Sequence, residues 1–113
     1  MCDVWKKTDH DDMTVDEIRH VFHQIPHLDS LRITGGEPFL RRDLTDITRA
    51  ILEETNPSVL HVTTAGVMTE RIVEYVKAVG SKKLHMKISI DAVGARHDEI
   101  RGYRGLYDKS MRT

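Results

Sequence analysis

The sequence is short of cysteine, of long apolar runs and of any charge excess, and each shortage excludes a class of protein. Cys2 is the one cysteine in 113 residues, so no disulfide can form within the chain. No run approaches the roughly 20 apolar residues that a membrane span needs. The N-terminus lacks the basic-then-apolar pattern of an export signal. A formal net charge of -1 gives no basis for binding nucleic acid or an anionic membrane, both of which favour a basic excess. Repeats, linkers and low-complexity stretches are missing too. These shortages together point to the cytoplasm. What remains is ordinary for a soluble globular segment, with 39% hydrophobic and 31% charged residues. The length suits one small domain with a modest core.

Local patterns divide the chain into alternating elements. Thr14-Val15-Asp16-Glu17 has the form of a capping box at a helix start. Ile18, Val21, Phe22 and Ile25 then follow on one helical face, and Pro26 stops it. Leu31 to Thr34 is a short strand candidate, closed by Gly35-Gly36. A second helix starts near Asp43, carries Leu44, Ile47 and Ile51 on one stripe, and ends before Asn56-Pro57. Val59 to Thr64 is β-branched and strand-like. Thr69 is a candidate cap for a third helix bearing Ile72, Val73, Val76 and Val79, with Gly80 at its end. Leu84 to Ile90 alternates as a strand, and a fourth helix begins near Leu106. The order helix-strand-helix-strand-helix-strand is that of a parallel α/β sheet.

Strand parity adds a second layer. Leu84, Met86, Ile88 and Ile90 share one face, and His85, Lys87, Ser89 and Asp91 the other. Leu31 and Ile33 oppose Arg32 and Thr34 in the same way, while His61 and Thr63 share a parity in the middle strand. A fully buried parallel sheet would be apolar on both faces. One polar face suits either a barrel-like wall around a wet, ligand-holding interior or a sheet covered by helices on one side only.

Thr34-Gly35-Gly36-Glu37-Pro38 is the most informative segment. Two glycines directly after a strand let the backbone approach a ligand closely. Glu37 then sits at the carboxyl end of a parallel strand, where α/β folds collect ligands, and can accept hydrogen bonds from an ammonium group. An isolated Gly-Gly-Glu also suits an ordinary turn with a solvated carboxylate. Three further segments share its order along the chain: Met1-Cys2-Asp3-Val4-Trp5, Val62-Thr63-Thr64-Ala65-Gly66, and Ser89-Ile90-Asp91-Ala92 followed by His97-Asp98-Glu99-Ile100-Arg101-Gly102.

In that order and spacing the chain resembles the radical S-adenosylmethionine (SAM) superfamily over nearly its whole length. The first segment resembles the tail of the CxxxCxxC cluster loop, the Gly-Gly-Glu-Pro run the GGE motif of the second barrel strand, and the last two the third and fourth strands. The resemblance implies a partial (β/α) barrel with parallel strands, about half of a (β/α)6 barrel. Residues 1–113 would form a partial core domain, from the third cluster cysteine through the fourth strand and its following loop. It implies that Cys2 supplies one thiolate to a [4Fe-4S] cluster, that Gly35, Gly36 and Glu37 hold the methionine amino group of SAM, and that Ser89 contacts its ribose or carboxylate. In an intact parent the reduced cluster would pass an electron to the sulfonium and yield methionine and a 5'-deoxyadenosyl radical, which abstracts hydrogen from a substrate the sequence does not identify.

The departures shape the expectation as much as the matches. The first two cluster cysteines, the first strand and the later strands with their adenosine contacts have no counterpart in the sequence, so the chain reads as a truncated, mis-started or broken copy, inactive as written. Ala65 stands where the family has asparagine. One thiolate does not hold a [4Fe-4S] cluster, and a lone cysteine near a terminus is more often an inert thiol.

Other readings are weaker. His20, His23 and His27 would share a face of a continuous helix, but Pro26 ends it and no carboxylate completes a ligand set, so they read as exposed polar residues. His10-Asp11-Asp12 reads as a solvated loop. Lys87 either reaches a ligand from the inner face or pairs with Asp91. His97, Asp98 and Arg101 pin the loop after the last strand, and Trp5 packs over the cluster in an intact parent. Three classes follow: a piece of a radical SAM enzyme, a non-catalytic SAM-binding module, or an interaction protein that completes its open sheet with a partner chain or a second copy.

Overall fold

A computed structural model describes residues 12–25 and 27–113. Cys2, Trp5, His10, Asp11 and the expected helix stop at Pro26 lie outside the described residues. The first described element follows from its capping box. Thr14 Oγ1 accepts from the Glu17 N–H at 3.3 Å, and the Glu17 carboxylate accepts from the Thr14 N–H at 2.8 Å. Both are donors that a helix start otherwise leaves unmet, and α1 runs from Val15 to His23. Ile18 and Phe22 pack on the core with Val15, whereas Val21 turns outward.

Strands β1 (Ser30–Ile33), β2 (Val59–Thr64) and β3 (Leu84–Ile88) form one parallel sheet in the order β1-β2-β3. Helices α2 (Leu44–Thr55) and α3 (Thr69–Val79) make the crossovers that parallel pairing requires. Asn56, in the left-handed region, ends α2 just before Pro57, and Gly80 ends α3 in the same conformation. Two short helices follow β3, α4 (Ala95–Arg101) and α5 (Leu106–Arg112). Among the described residues this makes an open three-stranded α/β sheet with five helices, a partial β/α fold.

The core lies between one face of the sheet and helices α1 to α3. Leu60 and Val62, in the central strand, are fully buried against Phe39, Leu44, Ile47, Ile51, Ile72 and Tyr75. Leu31, Ile33, Leu84 and Met86 extend that apolar face across the outer strands. The opposite parity is polar: Arg32, His85 and Lys87 are exposed, and His61 and Thr63 half-buried. The alternation expected for β3 therefore holds from Leu84 to Ile88, with helices on the apolar face, whereas Ile90 lies beyond the strand and is exposed.

Several boundaries and roles differ from expectation. The first strand begins at Ser30 and ends at Ile33, one residue earlier than its pattern suggested. Strand β3 ends at Ile88, although the Ser89 N–H still donates to Thr64 O at 3.0 Å. Thr69 is the first helical residue rather than the cap of α3, and its hydroxyl pairs with that of Thr113 at 2.7 Å. The segment expected as a loop after β3 is helical. Its sequence, Ala-Arg-His-Asp-Glu-Ile-Arg, has no apolar stripe, so tertiary bonds rather than periodicity hold it in place. His97 is fully buried and its Nδ1 accepts from the Asp91 N–H at 3.1 Å. Asp91 binds Arg101 rather than Lys87, through two hydrogen bonds.

Asp98 joins the last two helices. Its carboxylate accepts from the backbone N–H groups of Gly105 and Tyr107 at the start of α5. Those bonds, Tyr107 foremost, hold the Asp98 carboxyl below its ordinary pKa, and Arg101 does the same for Asp91. A carboxyl lowered by folding contributes stability above the ordinary range and loses it as pH falls through the lowered value. Urea unfolding is therefore expected to show stability falling once pH drops below about 4, and Asp98→Asn should flatten that fall. An equally steep fall in the variant would remove Asp98 from the cause.

Candidate functional site

Because the strands are parallel, their carboxyl ends meet at one edge of the sheet. This brings Thr34-Gly35-Gly36-Glu37 after β1, Ala65-Gly66 after β2 and Ser89 after β3 to the same edge. Gly35, Gly36, Glu37 and Ser89 thus lie at one edge of the sheet. Thr34, Gly35 and Gly36 are exposed, and a side chain at Gly35 would meet no atom within 4 Å. Among the described residues nothing covers the exit of β1 at Gly35.

Glu37 has a more definite task than the sequence implied. Its Oε1 accepts from the Thr64 hydroxyl at 2.8 Å and the Phe39 N–H at 3.2 Å, and its Oε2 from the Ala65 N–H at 2.9 Å. The carboxylate therefore straps the exit of β1 to the end of β2. A carboxylate offers about four acceptor positions, so among the described residues roughly one is left without a donor. Thr64 is the pivot of the edge. Its hydroxyl also accepts from the Gly66 N–H at 3.0 Å, and its carbonyl takes the bond from Ser89. Sequence reasoning missed Thr64 because its parity puts it on the buried face. The available signal was a hydroxyl residue at the last strand position, ahead of Ala-Gly.

Helix α5 closes over the loop that follows β2. The Ser110 hydroxyl donates to Ala65 O at 2.7 Å, and the Thr113 hydroxyl to Gly66 O at 2.9 Å. Gly66 has φ +77°, and a Cβ there would lie 3.0 Å from Ile88 Cγ2 and 3.1 Å from Ser110 Cα. Both the conformation and the space call for glycine. Gly66→Ala is expected to cost about 2 kcal/mol, measured by urea unfolding, from the left-handed backbone and the crowded methyl. A loss under about 0.5 kcal/mol would contradict this packing.

Below this edge, the polar face of the sheet carries Arg32, His61 and His85 as register partners, with Lys87 opposite Thr63. The His61 and His85 rings meet edge to face with centroids 5.6 Å apart. Desolvation, and then the positive charges of Lys87, His85 and Arg32, push the His61 pKa below its ordinary value.

The histidine trio of the N-terminal region does not converge. Helix α1 ends at His23, whose Nδ1 pairs with Glu54 at 2.9 Å, while His27 pairs with Asp29 at 3.0 Å. Among the described residues no group of three or more His, Cys, Asp or Glu side chains could hold a metal ion. No helix among them is long and apolar enough to cross a membrane. A parallel sheet whose first exit is Gly-Gly-Glu, with polar strand ends gathered at one edge, agrees with the comparison to known families. The family model described as the radical SAM superfamily matches residues 1–113, and the chain belongs to that superfamily.

Proposed function

We propose that this chain forms the SAM-binding wall of a radical SAM enzyme, and that it acts only when further cysteines complete a [4Fe-4S] cluster. The observation that carries this reading is the exposed Thr34-Gly35-Gly36 exit beside a Glu37 carboxylate that, among the described residues, has about one acceptor position left. Exposed backbone and a residual carboxylate lone pair suit the ammonium group of an amino acid. Glu37 holds the exit in place, Gly35 and Gly36 leave room for close approach, and Ser89 stands at the neighbouring strand end. The cluster is a different matter. The sequence carries one cysteine, Cys2, whereas a [4Fe-4S] cluster needs three thiolates besides SAM in such a site. The donor set does not fit, and alone this chain carries no radical chemistry.

The test has two arms. Calorimetric titration of the 113-residue chain with SAM is expected to show weak, saturable binding that Gly36→Val abolishes. A chain extended to supply two more cysteines at CxxxCxxC spacing, reconstituted without oxygen, is expected to bind about four irons and to release 5'-deoxyadenosine from SAM. A colourless extended chain that ignores SAM would overturn the reading.

A second reading rests on the sheet edges. Among the described residues strands β1 and β3 each pair on one side only, and Ile90, Val93 and Ile100 are exposed in the segment after β3. An unpaired strand beside exposed apolar groups suits a partner chain or a second copy. Size-exclusion chromatography distinguishes this: a dimer or larger species favours it, and a clean monomer across the micromolar range removes self-association.

A further inference from the structure

Below the strand ends, the polar face of the sheet gathers basic side chains, and among the described residues no carboxylate pairs with them. Arg32, His61 and His85 lie side by side across β1, β2 and β3, and Lys87 follows His85 on the same face. Neighbouring strands are about 4.8 Å apart and alternate residues about 6.6 Å along a strand, so the four groups start from an area of roughly 10 by 7 Å. The three strands, SLRI, VLHVTT and LHMKI, contain no Asp or Glu. Asp91, the next carboxylate along this parity, is engaged by Arg101. Among the described residues, Arg32, His85 and Lys87 take part in no ion pair. His61 Nδ1 is shielded from water and has no hydrogen-bond partner there.

Each of these features is unfavourable in isolation. Desolvation and the charges of Lys87 and Arg32, on the strands either side of His61, disfavour a proton on its ring, and a shielded ring nitrogen without a partner carries an uncompensated desolvation cost. An anion resting on this face would relieve both together. Arg32 can offer a fork of two N–H donors, Lys87 a point charge, and the imidazoles further donors.

We propose that Arg32, His61, His85 and Lys87 form a binding site for an oxyanion, the phosphate or carboxylate group of a small molecule. The anion offsets the repulsion around His61, so its binding draws a proton onto that ring. The site lies below Glu37 and uses none of the strand-end residues. In an enzyme of the kind proposed above the oxyanion would belong to the substrate, and that extension alone rests on the earlier reading.

The experiment is a titration of the 113-residue chain with inorganic phosphate and, separately, with acetate, followed through the histidine imidazole proton signals. His61 and His85 are expected to shift and saturate while His20 and His23 on α1 stay still, and the His61 titration midpoint should rise. A response to phosphate alone identifies a phosphate group as the ligand chemistry, and a stronger response to acetate a carboxylate. The double variant Arg32→Gln/Lys87→Met, at two exposed positions, should keep the native circular dichroism and weaken the response by about tenfold or more, as loss of charge-assisted hydrogen bonds requires. No shift with either anion, an equal shift at His20, or an unchanged response in the double variant would overturn the site. A SAM titration is read separately, so phosphate binding without SAM binding would keep this site and remove the earlier reading.

Discussion

Phe39→Ala is expected to remove about 3–5 kcal/mol of stability, the usual result of deleting a buried aromatic ring without refilling its space. Phe39 is 1% exposed, and its ring stands edge-on to Tyr75 with centroids 5.2 Å apart. That geometry adds to the area term. Domains of this kind have about 5–15 kcal/mol in hand, so the variant would sit near its unfolding threshold. Urea midpoints measure the loss, and Phe39→Leu should recover much of it by refilling the site. Tyr75 supplies a local readout. Burial raises its phenol pKa against the hydrogen bond with Thr48 at 2.7 Å, so opening the cavity to water should bring that value down in ultraviolet titration. A Phe39→Ala loss below about 1 kcal/mol would mean that the ring is not a keystone of this core.

The second large effect is expected at Glu37, two residues earlier. Glu37→Ala strands three donors at once, the Thr64 hydroxyl and the N–H groups of Phe39 and Ala65. Hydrogen bonds to charged groups contribute about 1.5–3 kcal/mol each when isolated, and partial exposure reduces that here. The expected total is about 2–4 kcal/mol. Glu37→Gln keeps the shape but turns an amide donor toward another donor, so it should recover only part. A double-mutant cycle with Thr64→Val isolates the strap, because residues that share one hydrogen bond depart from additivity. Additive losses would separate Glu37 from Thr64. In the cysteine-extended chain, Glu37→Ala should also weaken SAM binding and abolish SAM cleavage, and unchanged cleavage would end the role given to Glu37.

What could be read from the sequence was whatever depends on near neighbours. The capping box at Thr14, the stop at Asn56-Pro57, the left-handed end at Gly80 and the alternation of β3 all follow from residues a few positions apart. The gathering of Gly35, Gly36, Glu37 and Ser89 at one edge was legible too, since parallel strands leave their carboxyl ends together. What escaped depended on distant partners. Helix α4 has no stripe to announce it and is held by Asp91 and by the start of α5. Two of the three partners of Glu37, Thr64 and Ala65, lie 27 and 28 positions away. Thr69 shows the limit of local rules: it has the chemistry of a cap, but Thr113, 44 positions on, takes its hydroxyl.

The parallel register also governs how the chain finds its shape. Ser30 faces Val59, and Leu60 faces Leu84, so every rung of the sheet joins residues more than twenty positions apart. No hairpin can seed such a sheet, and each rung requires a loop to close before it is rewarded. Helices α2 and α3 can form early but gain little until β2 arrives between its neighbours. Docking of the central strand is therefore expected to be the rate-limiting, cooperative step of folding. Substitutions at Leu60 or Val62 should slow refolding as well as speed unfolding, whereas changes at the outer end of α5 should act on unfolding alone.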